Sequence, residues 1–144
     1  MKTRYFALVM GVVFLAIGIL GFVPGVLMPP EAGPPLVVEA GHGVLFGLFP
    51  VNVLHNIVHL AFGVWGVVVW RSFVPSRAYA RAVAVVYAVL TVMGLIPVLD
   101  TVFGLVPIHS HDIWLHGAIT LVAAYFGYAP VTAVETAGDL PPRR

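Results

Sequence analysis

Long apolar runs dominate the chain, broken by short polar clusters and by loops rich in proline and glycine. Crossing a hydrocarbon layer about 30 Å thick takes roughly 20 helical residues at 1.5 Å each. Four stretches meet that length: residues 5–23, 50–70, 78–96 and 107–128. The second and fourth stretches carry His, Asn and Asp positions that the first and third lack. Asn52, His55, Asn56 and His59 stand at i, i+3, i+4 and i+7, which places them on one face of a helix. In the fourth stretch the same face carries His109, Asp112, His116 and Thr120. Small residues continue each face inward, Gly63 and Gly66 in one and Ala123 in the other.

The pattern predicts an all-α fold, an integral membrane four-helix bundle in which residues 1–134 form a single domain. Residues 24–49 open on PGVLMPPEAGPP, too rich in Pro and Gly for a regular element, and end on the apolar VLFGLF, expected at the interface. The connection RSFVPSRA is short, so the second and third helices are antiparallel neighbours. Residues 135–144, ETAGDLPPRR, are expected to be a disordered cytoplasmic tail.

Composition agrees with the membrane reading. Of 144 residues, 60% are apolar and only 9% charged, where soluble domains carry about 25% charged residues. Lys2 and Arg4 precede the first run as in a secretory signal, but the run is too long and FVPGVLMPP offers no small-x-small cleavage site, so an anchor is expected. Lys2, Arg4, Arg71, Arg77, Arg81, Arg143 and Arg144 flank one face, whereas the other two loops hold acidic residues and no Lys or Arg. Basic residues are retained inside, so both termini are expected to be cytoplasmic and the chain to sit in the inner (plasma) membrane. Trp70, Tyr79 and Tyr128 are expected at the inner boundary and Trp114 at the outer one. The absence of cysteine excludes disulfides, thiolate metal sites and iron–sulfur clusters. A net charge of +1 with no basic stripe argues against nucleic acid as a partner.

The chain also repeats itself. FGLFPVNVLHNIVHL at 46–60 aligns with FGLVPIHSHDIWLHG at 103–117 at an offset of 57, and VVFLAIGILGFVP at 12–24 with VVYAVLTVMGLIP at 85–97 at an offset of 73. The difference of 16 falls in the longer first loop, where insertions belong. Two parallel two-helix repeats are expected, related by a pseudo-two-fold axis along the membrane normal. Proline fits a first helical position, so Pro50 and Pro107 are expected to open the second and fourth helices. His59 and His116 then lie nine residues in, roughly 13 Å below the helix start and near the bilayer midplane.

FGLFPVNVLHNIVHL, RAYARAVAVVYAVLTVMGLIP and FGLVP with DIWLH and AAYFGY resemble the uncharacterised bacterial membrane proteins grouped as domain of unknown function 4383, over roughly residues 5–130. The resemblance implies a four-helix membrane protein and no activity.

A polar group facing lipid costs several kcal/mol when unpaired, so both stripes are expected to face the interior and each other. The expected pairs are His59 with His116 and His55 with Asp112. Three imidazoles and a carboxylate have the ligand types and spacing for a divalent metal such as zinc, iron or manganese, with Asn52, Asn56 and Thr120 as supporting residues. Alternatively, His59 and His116 are the axial ligands of a haem b, with Gly63, Gly66, Gly117 and Ala118 leaving space for a flat ring. The competing readings are an accessory or scaffold protein whose stripes only fix helix packing, each hydrogen bond contributing about 1 kcal/mol, and a hydrated proton or ion pathway. His42 and His109 are candidates for the rim of the site. GxSxG, HExxH, P-loop and Rossmann motifs are absent, so the chain leans towards binding, with a redox or membrane-complex partner, rather than catalysis.

Overall fold

A computed structural model describes residues 2–30 and 32–131. The expected tail at 135–144 lies outside them. Four helices carry the fold: α1 (Lys2–Leu20), α2 (Val53–Val69), α3 (Phe73–Gly94) and α4 (His111–Tyr128). By length and composition α1 and α3 can cross a membrane, while α2 is apolar but shorter.

α1 packs most extensively on α2, and α3 on α4; α1 and α3 also meet, while the α2–α3 and α1–α4 contacts are sparse. α2 and α4 therefore stand on opposite sides of the central α1–α3 contact, with the His55 and His116 rings approaching to 6.4 Å. Glycines permit the close α1–α2 approach. A Cβ on Gly11 would lie 2.7 Å from the Val67 nitrogen, and one on Gly66 2.7 Å from the Ala7 carbonyl oxygen. Phe6, Phe14, Tyr79, Val83 and Tyr87 fill the core between the pairs. Tyr79 is fully buried, with Trp65 edge-on at 5.3 Å. It sits one turn inside α3 on the face that α1 covers, and neighbour packing decides the fate of such a ring.

The long first connection contains a sheet that an all-α reading omits. Strands β1 (Leu27–Met28), β2 (Gly43–Leu45) and β3 (Phe49–Val51) pair antiparallel in that order. Phe46 and Gly47 both have positive φ, 55° and 69°, and Leu48 N–H donates to the Leu45 carbonyl at 3.1 Å. Successive left-handed residues of this kind are what a type I′ turn requires. Pro50 lies in β3 on the sheet edge, where its missing N–H leaves no ladder bond broken. It does not open α2. Asn52 does, by accepting the His55 backbone N–H at 3.0 Å as an N-cap. Nor does Pro107 open α4: Val106 and Ile108 N–H are held by the Thr101 and Asp100 carbonyls, and α4 starts only after Ser110, at φ 63°. His59 and His116 are thus about six and five residues into their helices, a depth of roughly 8–9 Å rather than 13 Å.

Asn52 also ties the loops together, its Nδ2 donating to the Val38 carbonyl at 2.9 Å and the Leu105 carbonyl at 2.7 Å. Asn52→Ala removes a cap and leaves two part-buried carbonyls without their donor, so it should cost about 1–2 kcal/mol. A thermal melt of the purified variant in detergent checks this, and an unchanged Tm would contradict it.

At the opposite end arginines close the helix termini. Arg77 donates to the Gly127 and Ala129 carbonyls, each at 2.9 Å, and Arg81 to Gly127 at 2.9 Å. These are the orphan carbonyls of the α4 C-terminus, where positive charge is favoured. Replacing both by Gln leaves an amide N–H at the level of Nε but removes the Nη groups and the charge, and should cost about 1–2 kcal/mol. The readout is again a Tm shift, with the Arg71→Gln variant, outside this set of bonds, as the unaffected control.

Candidate functional site

The site lies below the sheet, where side chains of α2 and α4 converge on the centre of the bundle. His55, Asn56 and His59 of α2 and Asp112 and His116 of α4 are all buried. The i, i+4 spacing puts His55 and His59 one above the other, with ring centroids 4.5 Å apart. The His116 ring stands 6.4 Å from that of His55 and edge-on to Tyr87 at 4.9 Å. Phe14 of α1 stacks on Tyr87 at 5.5 Å and 9° and on His59 at 5.4 Å and 21°. Five rings, His55, His59, Phe14, Tyr87 and His116, therefore form a closed circuit across all four helices. Sequence reasoning left Phe14 out; its only signal is its alignment with Tyr87 at the offset of 73.

Hydrogen bonding divides the stripe into two parts. Asn52 is bonded as described, and Asn56 Nδ2 donates to the Gly21 carbonyl at 2.8 Å, which ties α2 to the end of α1. Thr120 donates back to the His116 carbonyl at 2.8 Å. These three residues serve the backbone rather than supporting an imidazole. His55 Nδ1 lies 3.2 Å from the Pro50 carbonyl, so the backbone holds this ring, where pairing with Asp112 was expected. Asn56 Oδ1, Tyr79 Oη and Asp100 Oδ1 are buried with no hydrogen-bond partner among the described residues, and so are His59 Nδ1, His116 Nδ1 and Asp112 Oδ2.

His59, His116 and Asp112 border a cavity of about 360 Å³ that lies between α1 and α4 and also includes His55 and Tyr87 in its lining. Leu45, Phe49 and Val51 of the sheet close it above. A smaller cavity of about 180 Å³, between α2 and α3, shares His55, His59, Tyr87 and His116. The two cavities thus meet at the histidines. Gly63 and Gly66 do not contribute open space beside the rings: a Cβ on Gly63 would lie 2.7 Å from Leu15, and Gly66 is pressed on Ala7 and Gly11. The room expected from these two glycines is taken by α1, because close helix approach is what small residues permit.

His42 and His109 stand apart from this centre. With His111 and Asp100 they line a third cavity, about 420 Å³, on the far side of the sheet, into which Val44, Leu48 and Pro50 face. Burial lowers the His109 imidazole below its usual range, while nearby Asp100 raises it and His42 lowers it. Among the described residues no group of three or more His, Asp or Glu side chains is arranged to hold a metal ion.

A family model described as Domain of unknown function (DUF4383) matches residues 4–129. The chain belongs to this family. Its matched span covers all four helices, the sheet and every residue of the histidine centre. No curated protein and no solved structure matches the chain.

Proposed function

We propose that the chain is a small multi-pass membrane protein whose bundle interior binds an organic, lipid-soluble ligand, with His59 and His116 as the groups that hold it and Asp112 beside them. The observation that carries this is the set of unpartnered buried atoms, His59 Nδ1, His116 Nδ1 and Asp112 Oδ2, at the edge of the 360 Å³ cavity. Buried polar groups are nearly always bonded, and one left without a partner costs about 1–3 kcal/mol. Asn52 and Asn56 Nδ2 close their bonds on the backbone. Asn56 Oδ1, Tyr79 Oη and Asp100 Oδ1 are also without a partner among the described residues but lie outside this cavity's lining, whereas the two imidazoles and the carboxylate converge on it, where a ligand fits.

The bilayer setting rests on the outward faces of the helices. Val9, Val68, Val89 and Leu121, one from each helix, are 53–74% exposed. Apolar belts on every helix suit lipid contact. With α2 and α4 as the second and fourth spans, the arginine end faces the cytoplasm, the sheet faces outward and both described ends are inside.

The geometry favours an organic ligand over the two inorganic candidates. A metal at His55, His59, His116 and Asp112 has suitable donors but needs the imidazoles to turn inward together. A porphyrin needs an open slot between two imidazoles, and Phe14 and Tyr87 already pack against His59 and His116. A largely apolar cavity with a few convergent polar groups is the usual form of a small-molecule site.

The test is to purify the full chain in mild detergent, extract it with organic solvent and analyse the extract by mass spectrometry. Absorption spectra and elemental analysis are run on the same preparation. A stoichiometric organic compound with no Soret band and no stoichiometric metal is expected. A Soret band, a stoichiometric transition metal or an empty extract would overturn the proposal.

A further inference from the structure

The two cavities correspond position by position. Adding 73 to a residue of α1 or 57 to one of the β2–α2 segment converts the lining of one cavity into that of the other: Ile17 becomes Leu90, Val51 becomes Ile108, and Val58 becomes Leu115. Every residue lining the smaller cavity has its counterpart lining the larger. The turns above them match as well, since Phe103 and Gly104 take the positive φ of Phe46 and Gly47, at 59° and 84°. Under the same operation His59 and His116 exchange, and so do Phe14 and Tyr87.

Resting on the ligand reading above, we infer that the interior is a single two-fold binding site with two side windows, α1–α4 and α2–α3, and that its ligand is a flat ring with a hydrogen-bonding oxygen at each end: a quinone or quinol of the bilayer. Three observations lead there. The sheet and the 102–108 loop cover the cavities above, and the core around Tyr79 and Val83 closes the bundle below, so entry is sideways through the sparse helix contacts. The lining is apolar except at the centre, which selects a lipid-soluble molecule with a polar head. The polar groups come as a pseudo-two-fold pair of imidazoles, and because Phe14 and Tyr87 stack on each other the free space lies beside that pair, not between the imidazoles as a porphyrin would need, which suits a small planar ring with polar oxygens. Leu115 and Val58, 42% and 41% exposed, are equivalent residues at the two windows.

The experiment loads the purified chain with a short-tailed benzoquinone, transfers it to quinone-free nanodiscs and follows retained quinone by mass spectrometry. Wild type is expected to bind and release it. Leu115→Trp and Val58→Trp, whose side chains point partly outward, should each slow release, and the double variant should slow it at least tenfold. Leu115→Ala and Val58→Ala, which do not crowd the helices, should each speed release. Release unchanged by any change at Val58 would overturn the two-window site. Failure of the chain to bind quinone while another organic compound remains bound at His59 and His116 would overturn the ligand class alone. A chain that holds no organic molecule would overturn the underlying reading as well.

Discussion

Gly66→Val is expected to destabilise the bundle by about 3 kcal/mol, the upper end of the usual overpacking cost, and to lower Tm by roughly 10 °C. The new Cβ would meet the Ala7 carbonyl oxygen at 2.7 Å and Gly11 Cα at 2.9 Å. Both are backbone atoms of α1 and cannot swing aside as a side chain would. Relief requires the two helices to separate, which opens the interface along Gly11, Gly63 and Gly66. An added side chain at Gly117 provides the contrast. Its Cβ would meet only Thr91 Cγ2 at 3.7 Å, an ordinary contact, so Gly117→Ala should be neutral or slightly stabilising through helix propensity. A thermal series of the two variants in one detergent checks the pair, and equal Tm values would contradict the packing described for α1 and α2.

The second large effect concerns function. His59→Phe and His116→Phe keep a planar aromatic ring, somewhat larger, but remove the polar atoms. Each should weaken ligand retention at least tenfold, equivalent to about 1.4 kcal/mol, and the double variant should retain none in the solvent extract. Asn56→Leu behaves differently, because its Nδ2 bond to Gly21 serves the α1 terminus. It should lower Tm while leaving the extract composition unchanged in the protein that remains folded. If His116→Phe retains its ligand in full, the imidazole has no role in holding it.

Much of this site can be read from spacing. The i, i+3, i+4, i+7 arrangement of Asn52, His55, Asn56 and His59 fixes which face of α2 is polar, and burial of His55, Asn56 and His59 follows from the cost of exposing that face. Spacing does not reveal which of those groups find partners. Asn52 is bonded through Val38 and Leu105, remote in sequence and brought close only by the folded loops. The same limit applies to the sheet. Strands of two or three residues carry too little alternation to stand out among prolines and glycines, and long-range pairing defines them. Gly63 and Gly66 are recognisable as small, but only the position of α1 shows that they serve contact rather than space. Pro50 suits a helix start by its fixed φ, yet the Asn52 cap two residues later decides where α2 begins.

The most direct test of the central claim compares ligand-stripped wild type with ligand-stripped His116→Phe by thermal melting. Removing a buried polar group that has no partner relieves its desolvation cost, so the variant is expected to melt at the same temperature as wild type or higher. A Tm several degrees below wild type would mean that His116 already closes its bonds within the fold, and the open histidine centre would not exist.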